Sequence, residues 1–515
     1  MNAQNSISVG IDDMALYIPN LYLPIQTLAE KRGISFEKLN KGLGLEKMAI
    51  PDVHEDAATM AANAVVELIE KNKLNPNDIG RIYMGTESAL DGAKPTATYM
   101  LEMLRRKYRN TYGKNCFTNC DVVDLTFACV GGVDALQNTL DWVRNEEGRM
   151  GIVVCSDFAK YELASTGEYT QGAGAIGMLI KHNPRLLEIE GTFGVATRGV
   201  HDFFKPKRRF EKKEVIQEVL NLAGIDHISA EEILSKLPDS LEVNGILDEN
   251  DSYLTLHKDT PIFDGPYSNQ TYQNRIKEAL EDFRNKKVNR NEISEKEPLL
   301  NKWERLIFHL PYAAHGRRVA SEIFMIELKL RGQWRDFAWK YELAEPFLEN
   351  FESQAEFDKA YGSFLRAITK TEPYQLFANA KLGKSEKASG EVGNMYACSI
   401  FLALMGTLEQ DYLEDSNLIG EKFGFFGYGS GSKSKVFEGK LQPEWKDIVA
   451  NFNIQQKLDG RMELDYETYE ALHKMEMTES VQSPDSEFQL TKISTEELRN
   501  GARYYEWAEV KALVL

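Results

Sequence analysis

The residue with the clearest chemical potential is Cys129, in the segment DLTFACVGGVD at positions 124–134. Residues 122–125 predict a strand, and apolar residues at helical spacing from Val133 onward predict a helix. A thiol at a helix N-terminus is expected to have a lowered pKa, which favours the reactive thiolate. The small residues Ala128, Gly131 and Gly132 are expected to leave room for a substrate. A lone cysteine is more often structural and buried, so this segment alone leaves that alternative open.

Two other predicted strand ends carry ionisable side chains. Glu87 follows the predicted strand 81–86, and a carboxyl in a narrow site acts as an acid or base. His309 ends the predicted strand 305–310, and an imidazole titrates near neutral pH. Taken singly, a helix cap explains Glu87 and a core position explains His309, while His315 in the next turn is a rival histidine. Together with Cys129 they form a nucleophile–base arrangement.

Other motifs are less specific. The segment GYGSG at 427–431 has no following lysine and is no phosphate-binding P-loop, but its turn is suited to an anion pocket. Cys116 and Cys120 have metal-ligand spacing without a second pair, so no metal site is predicted. A basic cluster, otherwise explained as a solvated charge run, stands out at Lys205, Lys207, Arg208, Arg209, Lys212 and Lys213.

Bulk composition narrows the class of protein. The chain has 515 residues and a formal charge of −18, which disfavours nonspecific nucleic-acid binding. No apolar run approaches the ~20 residues of a membrane span, and the N-terminus does not resemble a signal peptide. Five cysteines, an odd and sparse set, are typical of free thiols in a reducing compartment. We therefore expect a cytoplasmic protein that binds neither nucleic acid nor membrane.

The elements that must position these residues alternate between strands and helices. This alternation predicts an α/β fold with mostly parallel sheets. Charged, helix-rich stretches at about 210–258 and 332–387 interrupt the pattern and are predicted to be helical insertions. Strand–turn–helix units with polar residues occur in both parts of the chain, which suggests two related halves facing one site.

The ordered motifs resemble the 3-hydroxy-3-methylglutaryl-CoA (HMG-CoA) synthase family of the thiolase superfamily. The likeness runs from end to end, through Gly10–Pro19, Gly42–Met48, Glu55–Asp56, Gly85–Asp91, Ala128–Cys129, Ser156–Tyr161, Thr170–Ala175, Asp202–Pro206, Asp264–Gly265, Ser268, Phe308–His309, Gly393–Tyr396, Tyr428–Gly431, Leu458–Arg461 and Tyr466–Tyr469. The resemblance implies a thiolase-like αβαβα architecture. Its first half, 1–185, would carry Glu87 and Cys129, and its second half, 186–515, would carry His309.

The resemblance also implies a reaction and its residues. Cys129 would take an acetyl group from acetyl-CoA, Glu87 would deprotonate its methyl group, and His309 would assist attack on acetoacetyl-CoA. CoA thioesters would be substrates, without cofactor or metal, in a homodimer of the mevalonate route to isoprenoids. The backbone amides of Cys129 and Ser430 would form the oxyanion pocket. The predicted orienting residues are Asp91, Asp157, Asp202, Asn394 and Tyr396, and the predicted substrate-binding residues are Lys205, Ser268, Arg317 and Arg318.

Two departures keep alternatives open. Val130 stands where the family usually has Tyr, and Ala314 stands where it usually has a CoA-binding Lys. Arg317 or Arg318 would have to replace that charge, although Arg and Lys are not interchangeable at tight sites. One alternative is a relative acting on a carrier-protein-bound acceptor, as in polyketide β-branching. A ketoacyl-synthase III-like enzyme, disfavoured by Glu87, and a non-enzymatic scaffold are the others.

Overall fold

A central sheet of ten strands organises the computed structural model, which describes residues 8–236 and 252–509. Strands such as Gly172–His182 are buried on both faces, which explains their continuous apolar and small residues. In spatial order the strands are Trp303–Phe308, Lys422–Gly429, Lys433–Leu441, Leu187–Ile189, Val9–Tyr17, Gly172–His182, Met150–Ala159, Arg81–Gly85 and Asp121–Leu125, with Gly194–Thr197 paired to Lys433–Leu441.

Helices pack against the central sheet. Helices Gly131–Arg144 and Ser399–Leu413 are buried over most of their surface, as expected of helices between layers. The other long helices are Ala57–Asn72, Thr96–Tyr112, Gly265–Asn289, His315–Leu330 and Gln354–Thr369. This architecture confirms the predicted α/β class. No helix within the described residues is both long enough and apolar enough to cross a membrane.

The prediction of a mostly parallel sheet is wrong. Among the described residues, six of the nine strand pairings in the central sheet are antiparallel. The reason is local connectivity. Met150–Ala159 returns into Gly172–His182, and Lys422–Gly429 returns into Lys433–Leu441, without a crossover helix between them.

The remaining parallel pairings set the position of the site. Arg81–Gly85 runs parallel to both Asp121–Leu125 and Met150–Ala159, so their carboxyl ends lie at one edge of the sheet. Trp303–Phe308 runs parallel to Lys422–Gly429 at the opposite end of the sheet. The chain segments that follow these strands carry the ionisable residues singled out by the sequence.

The two predicted insertions differ in structure. The first contains helices Lys212–Ala223 and Ala230–Leu234. It also contains a two-stranded antiparallel sheet of Lys207–Glu211 and Tyr253–His257. Its central part, 237–251, lies outside the described residues. The second is helical, with Trp334–Lys340, Gln354–Thr369 and Glu372–Lys381.

Candidate active site

Cys129 lies in a tight turn between strand Asp121–Leu125 and helix Gly131–Arg144. The residue before it, Ala128, has φ of 42°, a left-handed conformation that costs free energy for a side chain other than Gly. A Cβ at Gly132 would lie 2.5 Å from the Cys155 sulfur and 2.7 Å from the Ala397 carbonyl oxygen. Gly131 and Gly132 therefore allow the helix to pack closely against its neighbours.

Glu87 and Cys129 are directly hydrogen-bonded, with 3.2 Å between the Cys129 Sγ and the Glu87 Oε1. Burial raises the pKa of the Cys129 thiol well above its usual value, and the Glu87 charge raises it further. The predicted lowering of the thiol pKa by the helix dipole is therefore wrong for this state of the protein. The resting thiol is protonated and donates to the carboxylate, so Glu87 is positioned to accept its proton.

The Glu87 carboxyl is itself perturbed by its surroundings. Burial raises its pKa, and the ammonium of Lys205, 3.7 Å from Oε2, opposes that rise. Lys205 was predicted to bind substrate. In the structure its ammonium lies beside the Glu87 carboxyl and over the ring of Tyr396, 4.8 Å from the ring centroid.

Asp157 fixes the backbone on both sides of this pair. Its Oδ1 accepts hydrogen bonds from the Thr86 hydroxyl and the Glu87 amide, each at 2.9 Å, and its Oδ2 accepts from the Ala397 amide at 2.9 Å. Burial and the nearby Glu87 charge raise its pKa to about 7. Asp157 thus connects the strand end that carries Glu87 to the segment that begins with Asn394.

Asp202 does the same for the glycine-rich turn of the second half. It accepts hydrogen bonds from the Tyr428 hydroxyl at 2.7 Å, the Gly431 amide at 2.8 Å and the Ser268 hydroxyl at 3.3 Å. These contacts hold the turn that carries Ser430, and Ser430 lines the same cavity as Cys129.

Asn394 and Tyr396 form a strained loop on the cavity wall. The Asn394 Oδ1 accepts a hydrogen bond from the Tyr396 amide at 2.9 Å. Tyr396 has φ of 42° and is almost fully buried, with its ring beside Cys129. Strain of this kind persists where surrounding contacts over-determine the backbone, as the Asp157 and Asn394 hydrogen bonds do here.

His309 follows strand Trp303–Phe308 and faces the cavity from the second half. Its amide donates to the Phe426 carbonyl at 3.0 Å, and its carbonyl accepts from the Tyr272 hydroxyl at 2.7 Å. Burial lowers its pKa to about 3, so the imidazole is neutral near pH 7. The neutral ring keeps one N–H group, which can donate a hydrogen bond to a developing oxyanion.

Cys129 and His309 line a cavity of about 350 Å³ with many aromatic residues in its walls, and Glu87 reaches it through its contact with Cys129. Of the residues predicted from the sequence, it is lined by Cys129, Ser268, His309, Arg318, Asn394, Tyr396 and Ser430. Sequence reasoning missed the aromatic walls formed by Tyr161, Phe203, Phe263 and Tyr272. The one available signal was adjacency, because Phe203 follows Asp202 and Phe263 precedes Asp264, both in recognised motifs.

Some predicted residues lie elsewhere. Asp91 is on an exposed turn, where its carboxylate accepts hydrogen bonds from the amides of Ala93 and Lys94 at 2.8 Å. Arg317 is not among the residues that line the cavity, and its guanidinium is paired with Glu386. Val130, at the first departure from the family pattern, is fully buried in the core.

A separate cluster has the composition of a metal site. His54, Glu55 and Glu487 bring their ligand atoms within 4.8 Å of one another. Their atoms already have partners. The Tyr17 hydroxyl is 2.6 Å from Glu55 Oε1 and 2.5 Å from Glu487 Oε2, and the His54 Nδ1 is 2.8 Å from the Ser480 hydroxyl. These contacts tie the C-terminal segment to the N-terminal half.

Comparison with known proteins is consistent across the whole chain. The family models for the N-terminal and C-terminal parts of hydroxymethylglutaryl-coenzyme A synthase match residues 5–184 and 253–510. The hydroxymethylglutaryl-CoA synthase of Haloferax volcanii is 29% identical, over 98% of this chain and 100% of that protein. That of Schizosaccharomyces pombe is 26% identical, over 96% and 95%.

Solved structures share the fold. MvaS in complex with 3-hydroxy-3-methylglutaryl coenzyme A superimposes with a TM-score of 0.72 and 24% identity, covering 98% of this chain and 99% of that one. The HMG synthase of the curacin biosynthetic pathway, in complex with its holo donor carrier protein, gives 0.67 and 20%, covering 97% and 100%. The predicted thiolase-like architecture is therefore confirmed, and the chain belongs to the hydroxymethylglutaryl-CoA synthase family.

Proposed function

We propose that this protein condenses acetyl-CoA with acetoacetyl-CoA to give HMG-CoA and CoA through an acetyl-Cys129 intermediate. The observation that carries the proposal is the 3.2 Å contact between the Cys129 thiol and the Glu87 carboxyl, in a cavity that His309 also lines. Nucleophile, base and oxyanion partner are the three groups that a thioester condensation needs.

The first step is acyl transfer. Glu87 accepts the thiol proton of Cys129, the sulfur attacks the acetyl carbonyl, and the C–S bond to CoA breaks. The departing CoA thiolate takes up the proton, and Glu87 is ionised again. The raised thiol pKa makes a nearby base necessary, because little thiolate is present without one.

The second step forms the carbon–carbon bond. The Glu87 carboxylate removes a proton from the methyl group of acetyl-Cys129, and the resulting carbon nucleophile attacks the 3-oxo carbon of acetoacetyl-CoA. His309 donates a hydrogen bond to the oxygen of the resulting alkoxide. The proton that Glu87 took from the methyl group passes to this oxygen, which gives the tertiary hydroxyl and restores the Glu87 carboxylate. Water then cleaves the bond to Cys129, giving HMG-CoA and the free thiol. In this proposal the amides of Cys129 and Ser430 bind the thioester oxyanion.

Intact-mass measurement after incubation with acetyl-CoA tests the first step. We expect one acetyl group on the wild-type protein and none on Cys129→Ser. The control is Cys120→Ser, at a thiol outside the cavity lining, which keeps the adduct. A wild-type protein that stays unmodified would rule out the acetyl-enzyme mechanism.

A carrier-protein-bound acceptor is the second candidate. Its support is the exposed two-stranded sheet of Lys207–Glu211 and Tyr253–His257. This sheet presents several basic side chains to solvent, close in the chain to Lys205. An acidic carrier protein complements such a surface. Supplying acetoacetyl-CoA and acetoacetyl carrier protein side by side decides between them. Product from the carrier protein alone would replace the first proposal with the second.

We also propose a cytoplasmic homodimer that supplies HMG-CoA to the mevalonate route. Support comes from the family, including relatives named as cytoplasmic enzymes, such as that of Rattus norvegicus, 26% identical over 84% of this chain. Light scattering on the purified protein tests the dimer. A mass near the 58.5 kDa of one chain would contradict it.

A further inference from the structure

His315 is a polar side chain that the proposed chemistry does not use. It is the first residue of helix His315–Leu330 and is 3% exposed. Among residues 8–236 and 252–509, neither of its ring nitrogens has a hydrogen-bond partner. Burying an unpaired polar atom costs about 1–3 kcal/mol, so a purely structural histidine would be a poor choice here.

The ring of His315 is held in one orientation. It lies edge-to-face between two tyrosines, with centroid distances of 4.5 Å to Tyr272 and 4.7 Å to Tyr312. The Tyr272 hydroxyl is itself fixed on the His309 carbonyl. The imidazole is therefore preorganised, and its position is tied to that of His309.

His315 lies where the catalytic cavity meets an outer groove. It lines the catalytic cavity, and it also lines an outer groove of about 1150 Å³ beside helices Gly265–Asn289 and Gln354–Thr369. Pro266, Asn269 and Arg318 line both spaces too. A long thioester whose acyl end reaches Cys129 from this groove passes His315.

The protonation state of His315 defines what it can recognise. Burial lowers its pKa well below the usual value, and the positive charge of Arg318 lowers it further. The neutral ring carries one N–H donor and one acceptor nitrogen. The hydroxyl of Tyr312 lies near the Arg318 guanidinium and donates to no acceptor among the described residues, so it adds a donor on the same wall.

We infer that His315 binds the pantetheine arm of the acyl thioester. The acceptor nitrogen of His315 accepts a hydrogen bond from the N–H of the amide nearest the sulfur. The Tyr312 hydroxyl donates a hydrogen bond to the carbonyl of the same amide. A secondary amide presents one N–H and one C=O, which neutral imidazole and phenol groups match without a charge. CoA and a carrier protein both present this amide, so His315 would serve either source. The inference rests on the proposed function.

Two small thioesters isolate the amide. S-acetyl-N-acetylcysteamine has the amide, and S-acetyl-2-acetoxyethanethiol replaces its N–H by oxygen and keeps the carbonyl. The efficiency of Cys129 acetylation is measured as kcat/KM for each probe. We expect the wild type to prefer the amide by about tenfold, the worth of one net hydrogen bond, and His315→Leu to show a ratio near one.

Matched variants separate binding from structure. His315→Gln keeps a donor and an acceptor and is expected to regain part of the preference. Tyr312→Phe is expected to slow both probes equally, because both have the carbonyl. An unchanged amide-to-ester ratio in His315→Leu would overturn the inference, since a folding defect lowers both rates together.

Acetyl-CoA and acetyl carrier protein provide the two natural sources. His315→Leu is expected to lower kcat/KM by a similar factor with each, and a loss confined to one source would contradict binding through the shared arm. If no thioester acetylates Cys129, the proposed function fails. Calorimetric binding of the same two probes to wild type and His315→Leu would then still decide whether His315 recognises the amide.

Discussion

Two buried glutamates in this molecule have opposite electrostatic properties. Glu87 faces a single ammonium, that of Lys205 at 3.7 Å, and burial raises its pKa. Glu438 is just as buried, in strand Lys433–Leu441, and accepts hydrogen bonds from Lys287 at 2.7 Å, Lys422 at 2.9 Å and the Trp303 indole at 2.8 Å. Burial alone would raise its pKa too, but hydrogen bonding with Glu190 and with these three donors outweighs burial and lowers the pKa to about 2.

The difference lies in the number and closeness of the donors, since burial is similar. A carboxylate held by two ammonium groups and an indole stays ionised and stabilises the fold, and it has no affinity left for a substrate proton. The Glu87 carboxyl, with one ammonium at 3.7 Å, keeps a raised pKa and therefore a higher affinity for a proton than an exposed carboxylate has. A base that must take a proton from carbon needs such an affinity.

The largest expected effect is on the catalytic side. Glu87→Gln keeps the size of the side chain and removes its basicity, so we expect the condensation rate to fall by about 10²–10⁴-fold, the usual worth of a general base. Because Glu87→Gln also slows acetylation, each protein is first incubated with excess acetyl-CoA until intact mass shows the acetyl-enzyme. Condensation is then measured in a single turnover with acetoacetyl-CoA. Glu438→Gln is the matched control and is expected to keep the rate per folded molecule. If both variants lose condensation equally, the contrast between the two sites is wrong.

The next effect is on stability. Glu438→Gln removes one of the carboxylates around the buried ammonium of Lys287, while Glu190 and Glu292 remain, and we expect a loss of about 1–3 kcal/mol in the free energy of unfolding. Glu87→Gln removes a carboxylate that burial disfavours, so it is expected to be neutral or slightly stabilising. Urea unfolding monitored by tryptophan fluorescence compares the two variants. A larger loss for Glu87→Gln would contradict the assignment of structural and catalytic roles.

The sign of the pH dependence follows from the lowered pKa of Glu438. A carboxyl whose folded-state pKa lies below its unfolded value contributes stability above the unfolded pKa, near 4.3, and loses it as the pH falls toward 2. The stability difference between wild type and Glu438→Gln should therefore shrink over that interval. A difference that persists at pH 2 would assign the effect to packing.

The sequence predicted most of the site because the chemistry lies at strand ends, and strand ends are local features. Glu87 and Cys129 meet because parallel neighbouring strands bring their carboxyl ends to one edge, and His309 lines the same cavity as Cys129 from the other half. The thiol pKa was predicted in the wrong direction, because desolvation and the Glu87 charge depend on tertiary contacts. The mixed sheet was missed for a similar reason, as strand pairing is non-local. Asp91 was placed by motif order alone, and its exposed turn was not visible in the sequence.

The smallest expected effect tests the one cation beside Glu87. Lys205→Met removes the ammonium that opposes the raised pKa of Glu87, so that pKa should rise further. Because the carboxylate is the active form, the acid limb of the condensation rate should shift to higher pH by about one unit. Single-turnover rates across pH measure the shift. Lys422→Met, which removes a more exposed cation from the Glu438 cluster, should leave the limb in place. A limb that does not move in Lys205→Met, or that moves equally in both variants, would mean that Lys205 acts on the substrate and that Glu87 is tuned by burial alone.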